Sequence, residues 1–256
     1  MNILEVFNNA EIIDASLNET KLYYRPLDPG SYLYRQIESF EKLPILSFRL
    51  KGEILTYIKS LRFLVANAPR NDKIQSSQIM EYDFDSKFSK DFIELVYVTL
   101  SAWNMNSRGA KLQEFEVFKK SIIKNKRTFY DLSSYSLKDI EKPIVRDLLE
   151  KLINNIDLVA ESKPPLVTFS KTMHFFLPDL VGPIDRTYTM RFFYNNTNVP
   201  KTIANQFKRF MDIETEYCNL AKKFKLAKFK DGVWNRTIPK IIDNMIIGFL
   251  RLNGKS

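Results

Sequence analysis

Glycine is scarce in this chain, with only 7 among 256 residues. Sheet sandwiches and barrels need glycine at many tight turns, because glycine alone enters left-handed backbone conformations without a steric penalty. Phenylalanine and tyrosine are abundant, at 20 and 12 residues, and can supply a large apolar core. We therefore expect long helices joined by few sharp turns. The length fits one domain or two small lobes.

Apolar residues recur at helical spacing over much of the sequence. Helices are predicted at 51–65, 90–104, 115–124, 144–159, 170–177, 185–193, 201–224 and 239–250. Segment 90–104 is apolar almost all round, which is typical of a buried helix, although a pair of buried strands is the alternative. Residues 1–47 are interpreted as irregular or short elements, and 160–169 as a connection containing two prolines.

The predicted fold class is therefore all-α, or mainly α-helical. The domain prediction is one compact helical unit over 1–256. Its alternative is a two-lobed arrangement, with 75–165 as a central helical lobe and 1–74 joined with 166–256 as the second.

Cysteine and histidine occur once each, as Cys218 and His174. A single cysteine excludes an internal disulfide and any cysteine-built zinc or iron–sulfur site, and a single histidine disfavours a metal site. We expect no metal and no cofactor. The cysteine usage, the absence of a bilayer-length apolar segment and an N-terminus unlike a signal peptide predict a reducing, cytoplasmic location without a membrane partner.

The net charge of +9 is unevenly distributed. Residues 201–240 hold ten bases and four acids, an excess of +6, and residues 108–127 hold seven bases and two acids, an excess of +5. Clustered lysine and arginine displace condensed counterions from phosphates, so these clusters predict a polyanionic partner. The alternative is a solvated basic face that only aids solubility.

Three short motifs follow one another between residues 90 and 195. They are Leu100-Ser101-Ala102-Trp103, then Lys171-Thr172-Met173, then Ile184-Asp185-Arg186-Thr187-Tyr188 followed by Arg191. Their order resembles the helix-hairpin-helix superfamily of base-excision DNA glycosylases, the group that contains endonuclease III. The resemblance implies a two-lobed helical bundle and double-stranded DNA as the partner. The sequence does not determine the oligomeric state, and a monomer is favoured.

The resemblance also implies a chemistry. A base must be flipped out of the duplex before its glycosidic bond can be reached. The Lys171 amine would attack the sugar and form a Schiff base, which makes the enzyme a lyase as well as a glycosylase. Asp185 would stabilise positive charge on the sugar or activate the nucleophile. Trp103 would fill the gap left by the base. The other expected nucleic-acid-binding residues are Arg108, Ser170, His174, Arg186, Tyr188 and Arg191.

The sequence departs from the family pattern in three places. The stretch that corresponds to the phosphate-binding hairpin, 166–169, contains no glycine. The interval of fourteen residues from Lys171 to Asp185 is shorter than usual, and the cysteine cluster of the iron–sulfur members is absent. Asp185 can also be read as a helix cap, Lys171 as a solvated lysine and Trp103 as a core residue. Two further functions stay open: a non-enzymatic nucleic-acid-binding protein on the same fold, and a helical scaffold without nucleic acid.

Overall fold

The computed structural model describes residues 2–24, 84–102, 111–160, 165–231 and 235–254. The protein is mainly α-helical, as predicted. Across these residues the only regular structure outside helices is an isolated antiparallel bridge between Leu112 and Val159. The α-helices are α1 Ile3–Val6, α2 Ala10–Tyr24, α3 Lys90–Ala102, α4 Phe115–Lys124, α5 Lys126–Leu132, α6 Pro143–Asn155, α7 Leu166–Phe176, α8 Arg191–Tyr194, α9 Ile203–Lys223 and α10 Ile238–Leu252.

Helix α7 lies at the centre of the packing, and nine of its eleven residues are buried. Both of its ends are tied to other elements. At the start, the Leu166 N–H donates to Gln206 Oε1 of α9. At the end, the buried Lys87 ammonium donates to the Phe176 carbonyl, one of the last carbonyls that the helix itself leaves unsatisfied. These bonds fix the helix that carries Lys171.

Aromatic rings join α7 to its neighbours. The Phe176 ring lies 5.5 Å from Phe88, 5.4 Å from Phe92 and 4.9 Å from Phe129, measured between centroids. Aromatic pairs at such distances add about 0.5–1.5 kcal/mol each beyond their buried area. The abundance of phenylalanine is thus explained by the contacts that hold α3, α5 and α7 together.

Helices α2 and α10 pack closely because of one glycine. A Cβ atom on Gly248 would lie only 1.7 Å from the Ser16 carbonyl oxygen of α2. The Thr20 hydroxyl donates across the same interface to the Asn244 carbonyl. Helix α2 and the last described helix, α10, therefore lie side by side, and α10 also contacts the short helix that follows Asp185.

Several predicted boundaries need correction. The segment 1–47 contains the fifteen-residue helix α2, and α5 was not predicted. Helix α6 ends at Asn155 rather than at residue 159, because Ile156 takes an extended conformation and leads into the bridge at Val159. The predicted helix 90–104 is confirmed as a helix up to Ala102. The predicted helix 51–65 lies outside the described residues.

The prediction for 160–169 is wrong at its C-terminal end. Residues 166–169 form the first turn of α7, so they are neither a connection nor a hairpin. Ser170 therefore lies inside the helix, and Lys171 is its sixth residue. The N-terminus of α7 thus lies more than one turn before Lys171.

Candidate active site

Lys171 and Asp185 form the contact on which the candidate site is built. Lys171 Nζ lies 3.5 Å from Asp185 Oδ2, although fourteen residues separate them in sequence. The side chains keep 12 % and 33 % of their exposure, respectively. The carboxylate is thus partly open to solvent, while most of the lysine stem is covered by protein.

The two oxygens of Asp185 have separate partners. Oδ1 accepts the backbone N–H groups of Thr187 and Tyr188 at 2.6 and 3.0 Å, which makes Asp185 the predicted N-cap. Oδ2 faces Lys171. The Asp185 N–H donates to Thr189 Oγ1 at 3.0 Å, so the residue is held through its backbone as well. The orientation of the carboxylate is therefore fixed before any ligand binds.

The turn after Asp185 is a π-helix, Arg186–Met190, which continues directly into α8. The Met190 N–H donates to the Asp185 carbonyl, five residues back. Single π turns are rare and occur frequently at functional sites. Here the wider turn presents two N–H groups to one oxygen of the capping carboxylate and leaves the other oxygen for the lysine.

Three buried side chains hold the segment 177–184 that links α7 to Asp185. The Ser170 hydroxyl accepts the Ile184 N–H at 3.0 Å. His174 Nδ1 donates to the Val181 carbonyl at 2.7 Å. The Gly182 N–H donates to both carboxyl oxygens of Glu214, at 3.0 and 3.2 Å. These bonds turn the chain sharply enough to bring Asp185 back beside Lys171 over so short an interval.

Burial determines the preferred charge states of the side chains behind the site. Desolvation lowers the pKa of His174 to about 4, against the effect of its bond to the Val181 carbonyl. Desolvation raises the pKa of Glu214 well above its usual value, and the Gly182 N–H offsets this only in part. The same cause raises the pKa of the fully buried Tyr217. Burial therefore favours the neutral form of each of these groups behind the site.

A second Lys–Asp pair adjoins the first. Lys240 Nζ lies 2.6 Å from Asp243 Oδ2 within α10. Burial raises the pKa of Asp243, and the charges of Asp185 and Lys171 act on it as well. Neither this pair nor Glu214 was predicted from the sequence. The available signal was an isolated acid on an apolar helical face: Asp243 is the only acid in α10, and Glu214 shares a face with Phe210 and Tyr217.

The other predicted site residues are placed in different surroundings. Arg186 is exposed, and its Nε donates to the Thr197 carbonyl at 2.9 Å. Tyr188 and Arg191 are half-buried, and Tyr188 packs against the core. Ser170 and His174 lie in the interior, with their polar atoms bonded to the protein as described above. Trp103 and Arg108 lie outside the described residues.

The basic cluster 201–240 is divided between paired and unpaired lysines. Lys208 pairs with Asp212, Lys222 with Glu141 and Lys240 with Asp243. Arg209 stacks over the Tyr194 ring at 4.1 Å. The remaining excess is concentrated in residues 222–230, where all five lysines are exposed.

The basic cluster 108–127 is neutralised by nearby acidic side chains more fully than the cluster 201–240. Lys119 pairs with Glu116, Lys126 with Asp85 and Arg127 with Asp131. Lys111, Lys120 and Lys124 are exposed. Local pairing therefore removes much of the excess that the sequence suggests here.

No family model, curated protein or solved structure matches the chain. In the described part of the chain, no three His, Cys, Asp or Glu side chains gather closely enough to hold a metal ion. Within the same part, none of the helices has the length and apolar character required to cross a membrane. The assignment of function therefore depends on the geometry of the site.

Proposed function

We propose that the protein binds nucleic acid, with double-stranded DNA as the partner, and acts on a flipped-out nucleotide through Lys171 and Asp185. The observation that carries the proposal is the 3.5 Å contact between the amine and the carboxylate. The helix-hairpin-helix glycosylases, which the sequence resembles at these two positions, use a lysine and an aspartate for base excision. The fixed orientation of Asp185 and its partial exposure support the same chemistry.

The proposed reaction begins with a proton transfer from the Lys171 ammonium to Asp185 Oδ2. The neutral amine attacks the anomeric carbon as the glycosidic bond breaks, and the base leaves with the electron pair of that bond and takes the proton from Asp185. The nitrogen then forms a C=N bond while the bond from the anomeric carbon to the ring oxygen breaks. One nitrogen proton moves through Asp185 to that oxygen, which gives a protonated Schiff base and an opened sugar. The two N–H groups on Asp185 Oδ1 keep the carboxylate in place during the transfer, so little reorganisation is needed.

Borohydride trapping tests this proposal, because borohydride reduces a Schiff base to a stable covalent link. We expect the wild-type protein to be trapped on a duplex from a panel that carries abasic sites and damaged bases. Lys171→Arg should keep the cation and the contact with Asp185 but give no trapped product. Asp185→Asn should slow product formation by orders of magnitude, even though an asparagine still caps a helix.

A matched control is Lys119→Ala. Lys119 is also a partly buried lysine, 19 % exposed, and its ammonium lies 2.7 Å from Glu116. Its loss should leave trapping unchanged. Trapping by Lys171→Arg at the wild-type level would contradict the assignment of the nucleophile.

The second candidate is nucleic-acid binding without chemistry. It is favoured by the helical conformation of 166–169, which leaves no glycine-rich hairpin there to anchor a phosphate. Under this proposal the Lys171–Asp185 contact only fixes the segment 177–190. Binding of duplex DNA at low salt, combined with no trapping across the whole panel, would select this candidate over the first.

A further inference from the structure

Five exposed lysines occupy residues 222–230, here called the basic segment. It comprises the last turn of α9 and the 3₁₀ helix Leu226–Phe229 that follows. Lys222 pairs with Glu141 at 2.6 Å. The other four, Lys223, Lys225, Lys228 and Lys230, make no ion pair with the described part of the chain. Four uncompensated positive charges are therefore concentrated on eight consecutive residues.

Helix electrostatics account for only part of this arrangement. A lysine in the last turn of a helix is stabilised by the negative end of the helix dipole, which explains Lys222 and Lys223. Lys225, Lys228 and Lys230 lie beyond the end of α9, where the dipole no longer favours a cation. Mutual repulsion among neighbouring ammonium groups destabilises the folded segment, so their concentration calls for a binding role.

The backbone of the segment is ordered by its own contacts. Leu226 is buried and anchors the 3₁₀ helix to the core. The Lys228 N–H donates to the Lys225 carbonyl, and the Lys230 N–H donates to the Ala227 carbonyl. The lysines therefore project from a fixed scaffold, which reduces the entropy that a ligand must remove on binding.

The aromatic residues of the segment face inward. Phe224 and Phe229 are half-buried against the core, and Lys223 and Lys228 lie over their rings at 5.4 and 4.7 Å. A membrane-binding segment needs exposed apolar side chains that enter the lipid. Stacking on bases likewise needs open aromatic faces. The segment offers ammonium groups without either feature, which suits a ligand that presents only phosphates.

We propose that the basic segment binds the phosphate backbone of duplex nucleic acid independently of sequence, as a surface separate from the Lys171–Asp185 contact. The inference rests on the proposed function in one respect, namely that the partner is nucleic acid. Phosphate contacts fix the position of a protein on a duplex and carry no sequence information directly. The segment would thus increase residence on DNA while the candidate active site selects the nucleotide.

The test is the salt dependence of binding to an unmodified duplex, about three helical turns long. The substitutions K223Q, K225Q, K228Q and K230Q are combined in one variant. Because each phosphate contact contributes about 0.9 to the log–log slope, the variant should lose about three to four units of slope. Between 50 and 200 mM salt, the wild-type affinity should consequently fall by about 100-fold more than the affinity of the variant.

A charge-matched control combines K90Q, K138Q, K151Q and K201Q, four exposed lysines dispersed over the surface. We expect this control to keep a slope close to that of the wild type. Equal slopes for the two variants would overturn the inference, since total charge would then be the cause. Urea unfolding of both variants verifies that each is folded under the binding conditions.

Two further measurements separate the remaining explanations. Binding of the wild type to vesicles rich in anionic lipid, without binding to the duplex, would overturn the inference and assign a membrane surface instead. Absence of trapping with the slope difference intact would contradict only the active-site chemistry. Trapping with no slope difference would contradict only the role of the basic segment.

Discussion

The protein contains two neighbouring Lys–Asp pairs that are built in opposite ways. Lys240 and Asp243 are three residues apart on one helix, lie 2.6 Å apart and keep 28 % and 5 % of their side-chain exposure. Lys171 and Asp185 come from separate elements, lie 3.5 Å apart and keep 12 % and 33 %. In the first pair the carboxylate is sealed from water, while in the second it is the more open member.

This difference in the exposure of the carboxylates indicates which pair can take part in a reaction. A carboxylate that must accept a proton beside a substrate has to reach that substrate, which Asp185 can do and Asp243 cannot. Asp243 is buried, so separating it from Lys240 would leave an unpaired charge in the interior. The free-energy cost of that unpaired charge keeps the two side chains together. Under the proposed function, Lys171 and Asp185 carry the chemistry, and Lys240 and Asp243 have a structural role.

The largest effect is predicted for a variant that breaks the Lys240–Asp243 pair. Lys240→Met removes the ammonium beside the buried Asp243 and should lower the free energy of unfolding by about 3–5 kcal/mol at pH 7. Lys171→Met should cost about 1 kcal/mol or less, because its partner is partly solvated. Urea unfolding followed by circular dichroism measures both. Similar losses for the two variants would contradict the contrast between the pairs.

The loss in Lys240→Met should also depend on pH. Burial already raises the pKa of Asp243, and removal of its cation raises it further. A carboxyl group whose folded pKa exceeds its unfolded value contributes stability at low pH and loses it as pH rises through the folded pKa. The variant should therefore approach wild-type stability near pH 4 and diverge from it towards pH 7.

The next effect concerns His174, which holds the segment leading to Asp185. Its folded pKa of about 4 lies below the ordinary 6.5, because burial disfavours the charged ring and the charges of Lys240 and Lys87 add to the shift. The unfolded chain thus binds more protons between these values, and wild-type stability should rise across that window by about 3 kcal/mol from this residue. Above pH 6.5 the contribution is complete.

His174→Gln removes the titrating group and keeps a side chain that can donate to the Val181 carbonyl. The difference in unfolding free energy between wild type and variant should change between pH 4 and 6.5 and then level off. Glu214 titrates in the opposite sense, since its folded pKa is raised, but both proteins carry it and its effect cancels in the difference. A pH-independent difference would show that His174 does not titrate as described.

The sequence predicted most of the helices and the cap at Asp185, because both depend on local patterns. Apolar spacing located α9 and α10 within a few residues, and a short polar side chain before a helix indicated the cap. The sequence-based prediction failed at 166–169, because the two prolines just before this stretch suggested a connection. In the structure these residues form the first turn of α7. Burial of nearly every residue in the helix and the bond from the Leu166 N–H to Gln206 Oε1 stabilise that turn.

The candidate site was predictable only in part, for a similar reason. Lys171 and Asp185 were identified from motif order, but their meeting depends on Ser170, His174 and Glu214, which bond to backbone groups 7 to 32 residues away. No local pattern encodes those partners. The basic clusters show the same limit, because the sequence counts charges and cannot tell that Lys208 or Lys126 is neutralised by a neighbour.

A smaller effect should follow from crowding behind the site. A Cβ atom on Gly182 would lie 2.5 and 2.8 Å from two ring carbons of the fully buried Tyr217. Gly182→Ala should therefore cost about 2 kcal/mol through overpacking and shift the segment that ends at Asp185. In a double-mutant cycle, Tyr217→Leu should make room and reduce the cost of the alanine. Strict additivity of the two changes would exclude the ring as the obstacle.

The smallest effect is predicted for a variant that tests whether the position of Asp185, rather than the overall stability of the protein, determines the trapping rate. Thr189→Val removes the hydroxyl that accepts the Asp185 N–H at 3.0 Å and leaves a backbone donor without its partner, at a cost of about 1 kcal/mol. The matched control is Thr172→Val, another buried threonine, whose hydroxyl donates to the Thr168 carbonyl within α7. Both variants lose one hydrogen bond and should unfold at similar urea concentrations. Only Thr189→Val loosens the backbone on which the carboxylate is mounted, so only it should slow borohydride trapping. Equal trapping rates would mean that the two N–H groups on Oδ1 suffice to orient Asp185.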